Sequence, residues 1–345
     1  MPWVATVTLS RTGRCFAVER DEAILAAALR QEIWLPYACR SGTCGSCKAI
    51  ILAGSVTYDG EARTGAAQAA RRNEALLCCA KTSGDITLDV PELAVRPSPA
   101  TRRLPARVVD VRRSSPDVMV VTLKPPPTEI VRFRPGQHIS LVGSDGRLHP
   151  FSIANAPRAD GTLELHVGRI PQGRFTGYVH ERLQPRDVLR FEGPFGQFGL
   201  SDATERPAIL LAGGTGIAPI KAMLEAAGEE GTGREFHLYW GNRRQEDFYA
   251  IEALCASATV LGARVTTVLS GTADSETWPG RVGPVYRAVI QDFPDLSRFD
   301  VYACGSPGLV DTAFRAFVSI AALPPDRFFA DAFHRAAPAT ADAAQ

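Results

Sequence analysis

Apolar and polar positions along the first 95 residues alternate with a period of two, shift to helical spacing, and return to two. Trp3–Leu9 and Cys15–Val18 alternate as half-buried strands do, Ala23–Arg30 places apolar residues on one helical face, and Lys48–Leu52 and Ile86–Val90 are short strands again. A cysteine-bearing loop separates the helix from the third of these strands. Residues Arg96–Arg103 (RPSPATRR) combine prolines, small residues and charges with no apolar face to bury, the mark of a linker between a domain at 1–95 and the rest of the chain. From Leu104 the pattern becomes short strands broken by Pro and Gly: Ala106–Arg113, Val118–Lys124, Gln137–Gly143, Phe151–Asn155, Thr162–Gly168 and Asp187–Gly193, with one helix near Phe175–Leu183. That spacing predicts an antiparallel barrel at 104–203. From Pro207, strands lead into helices. Ala208–Ala212 precedes Ala218–Ala227, Phe236–Trp240 precedes Phe248–Ala258, and Val301–Gly305 precedes Gly308–Ile320. Such alternation predicts a parallel sheet with crossover helices at 204–335, followed by a disordered tail at 336–345. The fold class is therefore multidomain, α+β then α/β.

Composition changes this picture little. Hydrophobic residues make up 45% and charged residues 22%, as in ordinary globular proteins, and the formal net charge of +1 gives no bulk attraction to nucleic acid or to a membrane surface. No apolar run approaches the roughly 18 residues that span a bilayer. The start, MPWVATVTLSRTGRCF, lacks the charged head and apolar middle of a signal peptide, so a cytoplasmic protein is expected.

Cysteine usage changes it more. Five of the eight cysteines, Cys39, Cys44, Cys47, Cys78 and Cys79, crowd into one stretch, which in a long chain of this kind indicates a metal site over a disulfide framework. Cys39-x4-Cys44-x2-Cys47, with a further cysteine some thirty residues on, is the plant-type spacing for a [2Fe-2S] cluster on four thiolates. The small and polar residues between (Arg40, Ser41, Gly42, Thr43, Gly45, Ser46) let the backbone wrap closely and aim N–H groups at sulfur. Structural zinc would show a second short-spaced pair, which is missing. Chemistry leaves the fourth ligand open between Cys78 and Cys79. The segment ALLCCAKTSGDITLDV resembles the ferredoxin segment in which Leu precedes the ligand, and that resemblance assigns Cys78.

The layout of the whole chain up to its tail resembles the ferredoxin–NADP reductase superfamily with a ferredoxin domain fused at the N-terminus, as in the reductase components of bacterial aromatic-ring oxygenases and in glucoseen reductases of deoxysugar biosynthesis. The resemblance implies a β-grasp ferredoxin, a six-stranded barrel that binds FAD, and an NAD(P)-binding domain. In the family a barrel strand with R-x-Y-S-x-x-N cradles the flavin; here the matching residues are His149, Pro150, Phe151, Ser152, Ile153, Ala154 and Asn155. Two departures stand out. His149 replaces an arginine that pairs with the flavin pyrophosphate, and a histidine is mostly neutral at pH 7. Phe151 replaces a tyrosine, keeping the aromatic face and losing the hydroxyl. Arg147, two residues upstream in a period-two strand, shares a face with His149 and offers compensation, as do Arg169 and Arg174. Downstream, LHVGRIPQGRFT resembles the segment that completes the flavin site, through His166, Val167 and Gly168 and then Gly173, Arg174, Phe175 and Thr176, where a helix would open toward the pyrophosphate.

The stretch PAILLAGGTGIAPIKAMLEAA is a strand, a glycine-rich turn and a helix, with Gly213, Gly214, Thr215 and Gly216 in the turn. The spacing departs from G-x-G-x-x-G, but GGTGIAP at this place is what the family carries. After the next strand, an acidic residue would favour NADH by bonding the ribose; the two arginines found there, Arg243 and Arg244, suit a 2′-phosphate, so NADPH is expected over NADH. Cys304, Gly305 and Pro307 resemble the family's segment beside the nicotinamide ring, and Phe333 its closing aromatic near the flavin, with Asp331 close by. Ser152, Cys304 and Phe333 are thus the candidates for the reacting centre. Nicotinamide gives up two electrons at once, a [2Fe-2S] cluster accepts one, and flavin bridges the mismatch. The resemblance implies a relay from NAD(P)H through FAD to the cluster, and from there to a terminal oxygenase of the terephthalate or benzoate dioxygenase type. The alternatives are a deoxysugar dehydratase as acceptor, or an electron carrier whose flavin site has decayed at His149 and Phe151.

Overall fold

The structure, a computed structural model, describes residues 4–37, 47–58, 73–92, 102–201, 204–271 and 278–333. Cys39 and Cys44, most of the linker and the whole tail lie outside the described residues.

The N-terminal residues build β1 (Val4–Leu9), β2 (Cys15–Glu19), a helix at Ile24–Arg30, β3 (Lys48–Ala53), β4 (Glu74–Leu76) and β5 (Ile86–Asp89). The sheet order is β2-β1-β5-β3-β4, with β1 and β5 parallel and the other pairs antiparallel, the β-grasp arrangement. Period-two alternation does the folding: Val7 and Leu9 of β1 and Phe16 and Val18 of β2 point to one face, where Ile24, Leu25, Ala27 and Ala28 of the helix cover them. The strand β4, only three residues long, is too short to show an alternation and was not expected from the sequence.

The barrel and the parallel-sheet domain form one compact unit, separate from the N-terminal one. The barrel strands are β6 (Arg102–Ser115), β7 (Val118–Lys124), β8 (His138–Val142), β9 (Leu148–Ser152), β10 (Leu163–Gly168) and β11 (Val188–Phe195). They run in the order β10-β7-β6-β11-β8-β9, and a bridge from Ile153 to Leu165 joins the last strand to the first. The strand β6 begins at Arg102, inside the stretch expected to be linker, and it carries Pro105. The proline is tolerated because β6 pairs β7 only from Arg107 onward, so near Pro105 it has β11 on one side alone.

In the third domain β12 (Ala208–Gly213), β13 (Phe236–Asn242), β14 (Arg264–Leu269), β15 (Arg281–Val282), β16 (Asp300–Gly305) and β17 (Phe328–Ala332) are all parallel, in the order β15-β14-β13-β12-β16-β17. Helices at Ile217–Glu230, Ile251–Leu261, Val285–Asp292 and Pro307–Ile320 cover both faces. Leu210, Trp240, Tyr302 and Cys304 pack on one side of the sheet and Ile209, Leu211, Tyr239 and Ala303 on the other, which is why these strands read as apolar runs without alternation. The sequence reading did not include β14, β15, β17 or the helix at Val285–Asp292. Strand order reverses at β12, with β13 on one side and β16 on the other. In such sheets ligands bind in the crevice beyond the strand C-termini at that point. Among the described residues no helix is long and apolar enough to cross a membrane.

The opposite end of this sheet carries a structural lock. Arg234 is buried, donates to Asp300 at 2.8 Å and to the Arg206 carbonyl at 2.6 Å, and lies over the rings of Phe236 and Tyr302. Because Asp300→Ala leaves a buried guanidinium unmatched, it is expected to cost about 3–5 kcal/mol in equilibrium denaturation. The crevice at the other end should stay undisturbed, since Asp300 sits at the end of the sheet away from the glycine turn.

Candidate functional site

Of the four cysteines expected to hold a cluster, the described residues include Cys47 and Cys78. Cys47 is buried at the start of β3, and its carbonyl accepts from Leu77 N at 3.1 Å, which ties the residue before Cys78 to Cys47. The chain turns sharply there, with Cys79 N and Ala80 N both bonded to the Leu76 carbonyl at 2.9 Å, and the sulfurs of Cys78 and Cys79 lie 3.6 Å apart. Cys47 and Cys78, brought together by that backbone bond, are two of the four thiols a plant-type [2Fe-2S] cluster requires; among the described residues no group of three or more metal-binding side chains is assembled.

On the barrel, β9 presents His149, Pro150, Phe151 and Ser152. The Ser152 hydroxyl is buried and has no hydrogen-bond partner among the described residues, an unusual state for a hydroxyl that a bound polar ligand would relieve. His149 stacks on Phe175 with ring centroids 4.2 Å apart and planes 9° from parallel; Phe151 lies 6.0 Å from the same ring. Burial pushes the His149 pKa below its ordinary value, so the ring is neutral and supplies an aromatic face in place of a cation. Phe175 belongs to the helix Arg174–Glu181, whose N-terminus has no side-chain cap; its free N–H groups suit a pyrophosphate. Arg174 is exposed at that N-terminus, and Arg147 is exposed beside Asp145. Arg169 is engaged by Glu181 at 2.9 Å. The Thr176 hydroxyl serves its own loop, accepting from Ile170 N at 3.2 Å. His166 is buried with both ring nitrogens engaged, Nε2 by Glu164 at 3.1 Å and Nδ1 by Tyr249 at 2.9 Å, so at His166, as at Val167 and Gly168, it is the backbone that lines the strand. These features fit a flavin.

The glycine turn closes on the crevice at the sheet's switch point. A Cβ on Gly216 would sit 2.3 Å from the Cys304 carbonyl oxygen, one on Gly213 would meet Leu309 at 2.3 Å, and Gly214, with φ of +56°, has open space above it. The Trp240 indole holds the turn by donating to the Gly214 carbonyl at 3.0 Å. Gly305 and Pro307 lie across the crevice, where Ser306 caps the helix Pro307–Ile320. Phe333 N donates to the Gly305 carbonyl at 2.7 Å, which brings the closing aromatic to the same place. Cys304 is wholly buried and burial raises its thiol pKa, so it packs and does not react as a thiolate. A dinucleotide fits here because the backbone is bare where a pyrophosphate would approach.

The two arginines beyond β13 have different surroundings. Arg244 is held by Asp117 of the barrel and by Asp247 and Glu246 of its own loop, so its charge is already matched. Arg243 is exposed and makes no ion pair among the described residues. Any contact with a 2′-phosphate therefore falls to Arg243, and Arg243→Ala is expected to raise the KM for NADPH by about ten-fold while the KM for NADH changes little. Steady-state kinetics with both nucleotides checks this; equal effects on the two would remove Arg243 from nucleotide discrimination.

The sequence reading missed a buried ionic group between the barrel and the nucleotide domain, built on Lys221, Glu225 and Glu164. Its signal was a Lys and a Glu four apart in a helix that otherwise reads as apolar nearly all round, IAPIKAMLEAA.

A β-grasp unit with clustered cysteines, a barrel with an orphaned serine and a glycine turn at a topological switch point define an iron–sulfur flavoprotein reductase. Sequence comparison agrees over the length of the chain. Residues 7–83 match the 2Fe-2S iron-sulfur cluster binding domain, 105–199 the oxidoreductase FAD-binding domain and 210–314 the oxidoreductase NAD-binding domain. The CDP-6-deoxy-L-threo-D-glycero-4-hexulose-3-dehydrase reductase of Yersinia pestis is 36% identical over 330 residues, covering 95% of this chain and 98% of the relative. The terephthalate 1,2-dioxygenase reductase component 1 of a Comamonas species is 32% identical over 322 residues, covering 92% and 94%. Among solved structures, the Amycolatopsis cytochrome P450 reductase GcoB matches with a TM-score of 0.76 at 30% identity, covering 95% of this chain and 98% of that one. The chain belongs to the ferredoxin–NADP reductase superfamily, in the branch that carries an N-terminal plant-type ferredoxin domain. It is an NAD(P)H-dependent oxidoreductase with FAD and a [2Fe-2S] cluster as its cofactors.

Proposed function

We propose that the chain is the reductase component of a terminal aromatic-ring oxygenase, delivering electrons from NAD(P)H one at a time to that separate protein. The observation that carries the relay is the direct approach of its two nucleotide-handling parts: a Cβ on Gly168, at the end of β10, would lie 3.2 Å from the Thr215 methyl of the glycine turn. Flavin, when bound, supplies the conversion from a two-electron donor to a one-electron acceptor. In this reading Ser152 offers a hydroxyl to the flavin, and the helix Arg174–Glu181 receives the pyrophosphate at its N-terminus. On the nucleotide side, Gly213, Gly214 and Gly216 let the backbone close on the pyrophosphate of NAD(P)H, while Cys304, Gly305 and Phe333 shape the crevice and keep water out. Cys39, Cys44, Cys47 and Cys78 hold the cluster.

Relatives named as reductase components of terephthalate, phenol and naphthalene oxygenase systems support the oxygenase as acceptor. The dehydrase reductase of Yersinia pestis, at 36% identity, favours the second reading, a deoxysugar dehydratase as acceptor. The two are separated by mixing the anaerobically reduced protein in a stopped-flow instrument with a terminal dioxygenase component and, in parallel, with a hexulose 3-dehydrase. Faster reoxidation by the dioxygenase is expected. Faster reoxidation by the dehydrase would establish the second reading instead.

A further inference from the structure

Lys221 lies in the second turn of the helix that follows the glycine turn, and its side chain is buried. The ammonium donates to the Ala154 carbonyl at 3.0 Å, to Glu164 Oε1 at 3.0 Å and to Glu225, one turn further along the same helix. Glu225 turns its other oxygen to Ala156 N at 3.0 Å. Glu164 also accepts from His166, which bonds Tyr249 of the nucleotide domain, and Arg158 approaches Glu164 at 3.4 Å. Two cations therefore face two carboxylates, with a histidine that burial keeps neutral.

The partners give the group its meaning. Ala154 and Ala156 lie two and four residues past Ser152, and Lys221 stands five residues past Gly216. Two bonds thus bolt the glycine-turn helix to the backbone that leaves the flavin strand. Stability does not account for such a group, because replacing a buried ion pair with apolar side chains of similar volume is often neutral or stabilising. Directional bonds give what an apolar contact lacks, a single register between two surfaces. Transfer between two bound groups is steeply sensitive to register, and a displacement of about 1 Å can cost a hundred-fold in rate.

We propose that Lys221, together with Glu225, is a positioning residue for flavin reduction: it fixes the glycine turn relative to the strand Leu148–Ser152, and so sets how the nicotinamide meets the flavin without touching either. The inference rests on the reading of these two sites as flavin and nicotinamide sites. The pair acts on the step between two bound groups, so its loss slows that step and leaves nucleotide affinity to the glycine turn itself.

The test is anaerobic stopped-flow reduction of the holoprotein by excess NADH and NADPH, in the wild type, in Lys221→Met, and in the triple variant Lys221→Met/Glu164→Gln/Glu225→Gln, which leaves no buried carboxylate unmatched by Lys221. The limiting rate of flavin bleaching is expected to fall about ten- to hundred-fold in both variants while the nucleotide Kd stays near the wild-type value. Hydrogen exchange of the same holoproteins, read on peptides covering residues 154–156 and 217–225, is expected to speed up, with the Tm of the triple variant close to that of the wild type. A limiting rate equal to wild type in the triple variant, or exchange unchanged in these peptides, would overturn the proposal. So would a raised Kd with an unchanged limiting rate, which would make Lys221 a nucleotide-binding residue. A wild-type protein whose flavin NAD(P)H does not bleach would instead bring down the reading of the two sites, and the wild-type control shows that separately.

Discussion

Gly216→Ala is expected to slow reduction of the protein by NADH or NADPH about a hundred-fold while leaving flavin and cluster in place. The added methyl would lie 2.3 Å from the Cys304 carbonyl oxygen and 2.6 Å from its carbon, both backbone atoms of a strand buried on every side. Neither can turn aside as a side-chain end can, so the turn must lift away from β16 and carry the bare backbone out of register with the crevice. A loss of about a hundred-fold in the limiting rate of flavin reduction follows. Dithionite should still bleach both chromophores, because neither is held by this turn. Gly214 makes the contrast. A methyl there meets nothing within 4 Å, and the φ of +56° costs Ala only about 1–2 kcal/mol. Gly214→Ala is therefore expected to fall well short of Gly216→Ala, and the reverse order would show that steric closeness to Cys304 is not what the glycine provides.

Cys78→Ala is expected to remove the cluster and with it NAD(P)H-dependent reduction of cytochrome c, while ferricyanide, which takes electrons from flavin, is still reduced. Cys79→Ala should keep the cluster spectrum. Leu77 N is bonded to the Cys47 carbonyl at 3.1 Å, so the residue that follows Leu77 is the one the backbone brings to Cys47. With the sulfurs of Cys78 and Cys79 only 3.6 Å apart, the distinction is one of ligand against neighbour in a shared packing environment. Absorbance and electron paramagnetic resonance of the dithionite-reduced variants decide it; a cluster surviving in Cys78→Ala and lost in Cys79→Ala would exchange the two roles.

Much of this was legible in the sequence because each domain announces itself through local pattern. The alternation in β1 and β2, the largely apolar runs of β12, β13 and β16 and the cysteine spacing all report residues whose burial or chemistry repeats over a few positions. What stayed hidden depends on tertiary neighbours. β15 has two residues and β4 has three, too few to carry a period. β14, Arg264–Leu269, mixes Arg and Thr with Val because only its last two residues are fully buried, so it does not read as a core strand. The same holds for side chains. Arg243 and Arg244 look alike in sequence, and only the fold brings Asp117, 127 residues away, to one and not to the other. Lys221 carries no local signal of its role, and only the fold brings the Ala154 carbonyl and the Glu164 carboxylate to it. His149, which in sequence looked like a lost cation, is a stacked aromatic partner of Phe175.

The central claim, that one chain carries electrons from nicotinamide through flavin to its own cluster, is tested most directly by anaerobic titration of the purified protein with NADPH and with NADH while the visible spectrum is followed. Bleaching of both flavin and cluster bands, with uptake of about three electrons per chain (two for flavin and one for the cluster), is the expected result. Cluster absorbance with no flavin signal and no response to either nucleotide would contradict it, and would make the chain a ferredoxin joined to an inactive reductase.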